Sequence, residues 1–239
     1  MTSSRGRLAG LLVSLSTVVL LGAGCGVIST VQNAVDTAGA LSEFADRLGK
    51  AAELTYTAEY RVVGGEGGTI TLAQQPPRSV LVSADGRLIT TAESMIICDG
   101  NECQRVANNA AGVAGPDATM VAGVAGPGFV TPELALGLVA AAAIVPNTDV
   151  ETSEKTIAGQ DSLCADVTGI EDPQGGTDEL LRDFSVCVTE SGVLASFSGS
   201  LNTGEHGALE LSKFSGSVDE RLFAPPSGAN LVDVAGLGG

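Results

Sequence analysis

The chain has 239 residues, of which 12 are basic and 28 acidic, so its formal net charge is −16. We expect no nucleic-acid partner, because phosphates attract basic surfaces, and the same charge repels an anionic lipid surface. Aromatic residues make up only 3% of the chain and tryptophan is absent, which argues against a platform that stacks sugar rings.

The first 24 residues have the order of a secretory signal peptide. Arg5 and Arg7 precede an uncharged apolar run, residues 8–21, which is shorter than the roughly 20 residues that span a bilayer. We therefore expect residues 1–24 to be removed. Their loss takes away two arginines and no acids, so the net charge falls from −16 to −18.

Residues 21–25, Leu-Gly-Ala-Gly-Cys, resemble a lipobox, the motif at which a thiol is diacylated and the leader is cut just before the cysteine. Gly22 stands where the motif usually has a branched aliphatic residue. Palmitate and similar chains on Cys25 would anchor the protein at the extracytoplasmic face of the cell membrane, since each buried methylene contributes about 0.8 kcal/mol. Residues 25–29 would be the lipidated tether. The alternative is an ordinary secreted protein with a spare thiol.

Hydrophobic periodicity predicts one helix followed by a run of strands. Apolar residues recur at intervals of three and four over residues 28–48, which predicts an amphipathic helix next to the anchor. The period changes to two over residues 54–62, which is typical of a half-buried strand. Further strands are predicted at residues 69–74, 78–83, 87–92, 94–98 and 103–107, and in a second block near 152–158, 163–169, 183–189, 193–201 and 207–215. The short breaks favour antiparallel meanders.

Four cysteines remain beside Cys25, and two disulfides are their simplest explanation in an exported protein. Four cysteines allow three pairings. Asp99-Gly100-Asn101 is hairpin-turn chemistry, which favours pairing Cys98 with Cys103. Cys164 and Cys187 lie in two apolar segments joined by a Gly-rich loop, as paired strands would. The alternative is a four-thiolate zinc site, although neither pair has the two-residue spacing.

A segment of different composition separates the two strand blocks. In residues 110–130, Val-Ala-Gly-Pro occurs at 113–116 and again at 124–127, and such a Gly/Ala-rich insertion cannot pack a core of its own. Thr131 and Pro132 then predict a helix N-terminus. The following apolar run, residues 134–145, is too short to cross a membrane, so we expect it to be buried by protein or to line a space that holds something apolar.

This order of elements resembles the LolA-like family, and within it the actinobacterial lipoproteins of the LppX and LprG type. The resemblance is carried by the strand-rich stretch 54–106, by the Glu190-Ser191-Gly192 turn and by the closing segment 218–229, which has an aromatic residue, prolines and glycine after the last predicted strand. It implies an α+β fold, in which a curved antiparallel sheet forms an open half-barrel with helices on its concave face. We expect one such domain at residues 30–234, followed by a flexible tail at 235–239.

The residues offer little support for an enzyme, and we expect no cofactor and no metal. The single histidine, His206, lies in a predicted turn, and the usual motifs of serine and zinc hydrolases are missing. The acidic pairs Asp219–Glu220 and Asp178–Glu179 are interpreted as solvated surface. The glycine-rich residues 64–68 are interpreted as a hairpin connection, because no helix follows them.

Two binding functions remain. In the first, implied by the resemblance, the protein carries lipid or another hydrophobic ligand in an apolar cavity, with residues 110–130 as a mobile flap. The candidate cavity residues are Leu134, Leu136, Leu138, Val139, Ile144, Tyr56, Tyr60 and Phe197. In the second, the domain has no cavity and is an envelope sensor or assembly domain that binds a protein partner through a sheet edge or an acidic face.

Overall fold

A computed structural model of the chain describes residues 39, 42–63, 68–84, 86–107, 121, 124–125, 129–142, 148–170, 181–201 and 206–234. The elements are α1 (42–51), β1 (Tyr56–Val63), β2 (Gly68–Gln75), β3 (Arg78–Val82), β4 (Gly86–Thr90), β5 (Ser94–Asp99), β6 (Glu102–Ala107), α2 (Pro132–Ala142), β7 (Asp149–Ile157), β8 (Gln160–Thr168), β9 (Leu181–Thr189), β10 (Leu194–Leu201), β11 (His206–Ser215), a 3-10 helix (Glu220–Phe223) and β12 (Asn230–Val234).

The twelve strands form one curved sheet that does not close, in the order β12-β6-β5-β4-β3-β2-β1-β11-β10-β9-β8-β7. Strands β1–β6 form one antiparallel meander and β7–β11 form the other. The two meanders are joined by the antiparallel pair β1 and β11, and β12 lies parallel to β6 at one edge. The predicted open, curved and mostly antiparallel sheet is therefore confirmed.

One face of the sheet, here called the inner face, carries the helices and the main core. Alternate residues of β1 point into this core because successive side chains of a strand face opposite sides; Tyr56, Ala58 and Tyr60 are all buried. Phe44 of α1 and Val139 of α2 pack against them. Val121 and Val124, from the Gly/Ala-rich insertion, also enter this core. Val130 is buried there too, with Ala125 and Phe129 packed against the core. The other residues of the insertion and predicted flap, 110–120, 122–123 and 126–128, lie outside the described residues.

The opposite, outer face of β3–β6 is covered by residues 216–234, the C-terminal strap. Its Leu222, Phe223 and Leu231 pack on a second apolar cluster that contains Val80 and Ile89. Strands β3–β5 are therefore buried on both faces, which explains their continuous apolar runs.

Arginines of the sheet hold the strap in place. Arg78 forms a bidentate ion pair with Glu220, at 2.9 and 3.1 Å, and stacks over the Phe223 ring at 4.5 Å. Arg105 pairs with Asp233 at 3.2 Å. The hydrogen bond from Arg78 lowers the pKa of the Glu220 carboxyl. Within the strap, hydrogen bonds from Arg221 lower the pKa of Asp219 to about 2.

Both disulfides join residues that face each other on neighbouring antiparallel strands. Cys98 of β5 pairs with Cys103 of β6, and Cys164 of β8 pairs with Cys187 of β9. All four are at most 2% exposed. The predicted pairings are confirmed, and such bonds indicate an oxidising, extracytoplasmic compartment.

All eleven strands predicted from alternation are present, with ends shifted by a few residues. The strand β12 was not predicted. The predicted helix at 134–145 is observed at Pro132–Ala142, and the Thr131 hydroxyl accepts a hydrogen bond from the Leu134 amide at 3.2 Å, as an N-cap does. This helix is not buried on all sides, because Leu134 is 44% exposed. Of the helix predicted at 28–48, residues 39 and 42–48 are helical and the remainder is outside the described part.

The turn between β9 and β10 holds the C-terminal half of α1 against the sheet. Gly192 has a φ of +94°, and a Cβ atom there would lie 1.8 Å from the Arg47 carbonyl oxygen. The Arg47 guanidinium reaches past this turn to the Val188 carbonyl at 3.4 Å and pairs with Glu43 at 2.7 Å. Glycine is thus required at 192 by both its conformation and the close approach of α1.

We expect Gly192→Ala to push α1 away from the sheet and to lower the free energy of unfolding by about 2–3 kcal/mol. Gly100→Ala is the control, because Gly100 also has a positive φ of 55° but no atom lies within 4 Å of its added Cβ. The backbone alone should cost that variant about 1 kcal/mol. Urea denaturation of both variants measures the difference, and equal losses would contradict the proposed role of the close approach.

Candidate functional site

A groove of about 540 Å³ lies between α1 and α2 on the inner face of the sheet. We call it the α1–α2 groove. Its lining is mainly apolar, and it is composed of Ala45, Leu48, Gly49, Ala51, Ala52, Tyr56, Gln74, Pro132, Leu136, Gly137 and Ala140.

Small residues on the facing sides of the two helices keep the groove open. On α1, Ala45 and Gly49 are four residues apart, so they lie on one side of the helix. On α2, Pro132, Leu136 and Ala140 recur at the same interval, and Gly137 and Ala140 are the small residues of that side. Longer side chains in place of these alanines and glycines would fill the space between the helices.

Two neighbouring strands supply the remaining wall. Tyr56 of β1 and Gln74 of β2 are directly paired across the sheet, so their side chains share the inner face. The Gln74 side-chain amide donates to the carbonyl oxygens of Ala51 at 2.6 Å and Leu54 at 3.2 Å. Ala51 is the last residue of α1, and Leu54 closes the turn that follows it, with its amide donating to the Ala51 carbonyl at 3.1 Å. Gln74 therefore both lines the groove and caps the helix beside it.

No charged side chain lines the groove among the described residues. Below it, burial raises the pKa of the Tyr60 phenol well above its ordinary value, and the nearby Tyr56 adds to this effect. Tyr60 is therefore neutral at physiological pH. The groove offers an uncharged, mostly apolar surface, which suits an uncharged apolar ligand.

The predicted cavity residues fall in three different environments. Tyr56 and Leu136 line the α1–α2 groove. Tyr60, Val139 and Phe197 are buried in the main core, where Tyr60 meets Phe129 edge-on and Phe197 stacks on Phe184. Leu138 is partly buried against the same core, whereas Leu134 points towards solvent. Ile144, like Cys25, lies outside the described residues.

Most of the groove lining was not predicted from the sequence. Ala45 belongs to the amphipathic pattern predicted for residues 28–48, whereas Gly49 and Ala52 follow it, and alanine and glycine are equally typical of close helix packing. The sequence feature that could have located the groove is the spacing of these residues, four from Ala45 to Gly49 and three from Gly49 to Ala52. The residues of α2 that line the groove also recur at a spacing of four. That signal locates two facing helix surfaces, although it does not give the distance between them.

Two polar pockets lie elsewhere. One, of about 330 Å³, is lined by Arg47 and by residues of the β7–β8 hairpin and the β9–β10 turn. The other is a shallow depression of about 200 Å³ beside His206, whose Nδ1 lies 3.2 Å from the Ser200 hydroxyl. Asp183 and His206 flank Ser200 on opposite neighbouring strands, so the carboxylate is not placed to orient the imidazole as in a hydrolase triad.

In the part of the chain that the structure describes, no group of three or more histidine, cysteine, aspartate or glutamate side chains could hold a metal ion. None of its helices combines the length and the apolar character needed to cross a bilayer.

No protein-family model matches the chain, and a comparison with curated proteins also finds no match. Among solved structures, a chain of the Pseudomonas aeruginosa MucA/MucB complex is similar at 14% identity and a TM-score of 0.47, covering 81% of this chain and 64% of that one. This chain thus spans less than two thirds of that protein.

LprF from Mycobacterium bovis is similar at 16% identity and a TM-score of 0.39, with 80% of this chain and 98% of that chain covered. The LolA superfamily protein NE2245 from Nitrosomonas europaea is similar at 13% identity and a TM-score of 0.29, with 75% and 96% covered. The structural neighbours therefore include proteins of the LolA-like kind that the sequence resembles.

We expect Gln74→Leu to lower the free energy of unfolding by about 1–3 kcal/mol, because the carbonyls of Ala51, at the end of α1, and of Leu54, in the turn after it, lose a donor next to the groove. Amide exchange at Leu54 should become faster. Gln160→Leu is the matched control, since its side chain bonds only its neighbour Gly159 at the surface, and it should change stability by less than about 0.5 kcal/mol. Unchanged exchange at Leu54 would contradict the capping role.

Proposed function

We propose that this chain is an exported lipoprotein, anchored through an acylated Cys25, that binds acyl chains of a lipid or another hydrophobic ligand in the α1–α2 groove. The observation that carries the proposal is the groove itself. It has about 540 Å³ of space between two helices and a lining of alanine, glycine and leucine. Binding, with no chemical step, is the function that such a lining supports.

The size and chemistry of the groove suit an aliphatic chain. Ligand sites typically have volumes of about 300–1,000 Å³ and are mostly apolar. Each methylene that moves from water into such a site contributes roughly 0.8 kcal/mol. Among the described lining residues only Gln74 and Tyr56 have polar side-chain groups, and the Gln74 amide nitrogen is already bonded to the end of α1. Affinity would therefore come from the apolar walls.

The membrane anchor is supported by the leader and by the disulfides. Residues 1–24 have the order of a signal peptide, and Cys25 directly follows them. Two buried disulfides fit a chain that matures outside the cytoplasm. Attachment through acyl chains suits a protein whose negative charge would be repelled by anionic lipid headgroups.

The first experiment is a native mass spectrum of the protein purified from detergent-solubilised membranes. We expect covalent acyl mass on Cys25 and, in addition, lipid that dissociates on collisional activation. Covalent mass without dissociable lipid would refute the carrier function and keep the anchor. Dissociable lipid on a chain that lacks covalent acyl mass would refute the anchor and keep the carrier function.

We expect Cys25→Ser in the full chain to abolish acylation, because the acyl chains are attached through the Cys25 thiol. Ser29→Ala, four residues later, is the control and should keep the acyl mass. Mass spectrometry of the detergent-extracted proteins measures both; membrane fractionation does not, because the leader stays uncut without the thiol and itself holds Cys25→Ser at the membrane. An unchanged acyl mass on Cys25→Ser would refute the anchor.

We expect Ala140→Trp to weaken binding of a dansyl-labelled fatty acid by at least about tenfold, equivalent to 1.4 kcal/mol, because the indole would occupy the groove. Ala141→Trp is the matched control. Ala141 is the next residue of α2 but is exposed and does not line the groove. Fluorescence titration gives both affinities, and equal affinities for the two variants would place the ligand elsewhere.

A further inference from the structure

Strand β7 forms one edge of the sheet and is paired, among the described strands, only with β8. It runs for nine residues, Asp149–Ile157, in unbroken register without a bulge. Such a strand is about 30 Å long. A long, regular edge leaves a row of backbone N–H and C=O groups for another strand to pair with.

The Cys164–Cys187 disulfide shows which of these groups face outwards. Its Cα atoms are 4.0 Å apart, the short spacing of a non-hydrogen-bonded pair. The backbone groups of Cys164 therefore point away from β9 and towards Ser153 of β7, its partner in register. Because these directions alternate along a strand, the neighbours Thr152 and Glu154 present their N–H and C=O groups to the open side.

The same edge is acidic. Asp149, Glu151 and Glu154 are exposed along β7, and the only basic residue of the strand, Lys155, is within 3.7 Å of Asp166. Two copies of this edge would repel each other, which opposes pairing of the chain with itself. An extended segment with lysine or arginine side chains would be attracted.

The 330 Å³ polar pocket continues this edge. It begins at Glu154, Lys155 and Thr156 and extends to Asp161 and Glu190. Its other cation, Arg47, is bonded to Glu43 and to the Val188 carbonyl. Three carboxylates thus face a space large enough for a long basic side chain, next to the open backbone of β7.

The edge also holds two polar groups that lack partners. Thr148 Oγ1, just before β7, and Ser153 Oγ, at its centre, are shielded from solvent and make no hydrogen bond. A buried hydroxyl without a partner is costly to leave unpaired.

The opposite edge of the sheet, strand β12, differs in length and in charge. Strand β12 has five residues, and its single acid, Asp233, is paired with Arg105. Its exposed side chains include the apolar Val232 and Val234. Charge complementarity with a basic partner is therefore a property of the β7 edge and not of the sheet edges in general.

We infer that the β7 edge is a docking site for an extended, basic segment of a partner protein, which adds a thirteenth strand to the sheet and places a lysine or arginine in the adjoining acidic pocket. Main-chain hydrogen bonds to Val150, Thr152, Glu154 and Thr156 would supply affinity, and the carboxylates would select the partner. This site lies apart from the α1–α2 groove, so it does not depend on the proposed ligand.

The test uses the full-length chain in detergent and a nine-residue peptide of alternating lysine and valine. The comparison peptide has glutamate in place of lysine. We expect only the lysine peptide to bind, measured by calorimetry, and the amides of Thr152 and Glu154 to exchange more slowly in its presence. Higher salt should weaken binding, because the charges involved are exposed.

Thr152→Pro separates strand pairing from simple charge attraction. It removes one outward N–H without affecting a hydrogen bond to β8, and we expect it to weaken binding of the lysine peptide about tenfold. Thr152→Val should bind normally. Replacing Glu151 and Glu154 together by lysine should abolish binding, whereas Glu93→Lys, at an exposed turn of the other meander, should not.

Three results would overturn the inference. The first is failure of the lysine peptide to bind the unaltered chain, or binding without slower exchange at Thr152 and Glu154. The second is undiminished binding by a folded Thr152→Pro variant, which would reveal charge attraction alone. The third is a dimer of the free chain that Thr152→Pro dissociates, because the edge would then belong to a second copy.

Discussion

Two antiparallel meanders become one sheet because β1 pairs with β11, across a separation of about 150 residues; Glu59 and Ser212, for example, are 153 apart. Two exposed ion pairs cross this junction, Lys213 with Glu59 and Arg61 with Glu210. Each contributes at most about 1 kcal/mol. The stronger contribution is apolar, since Tyr60 and Leu211 are paired across it and completely buried.

The position of the α1–α2 groove depends on this pairing of β1 with β11. Tyr56 and Gln74 stand on β1 and β2, next to the seam between the meanders. Helix α1 comes immediately before β1, and it also contacts the β9–β10 turn of the second meander, through Arg47 and Gly192. One short helix thus touches both halves of the sheet. Loss of the β1–β11 pair would separate the two sets of contacts that keep α1 opposite α2.

Local patterns predicted the meanders, the disulfides and the N-cap at Thr131, because each depends on residues close together in the sequence. Strand β12 was not predictable in this way. Leu231 and Val232 follow prolines and a glycine, and their strand conformation depends on parallel pairing with Cys103 and Gln104, far earlier in the chain. The groove was only partly predictable, since Leu134 and Leu136 have the same chemistry and differ in which side of α2 they occupy.

The C-terminal strap can cover the first meander only after the rest of the sheet has been synthesised. Val80, Ile89 and Ile96 of the first meander are buried only after Leu222, Phe223 and Leu231 have reached them. Because a ribosome makes the N-terminal part first, a growing chain carries these strands with an apolar surface still open to water. Such a surface is a binding site for chaperones and a route to aggregation. The strap is synthesised after these strands, and its docking covers their apolar surface and removes the need for a chaperone there.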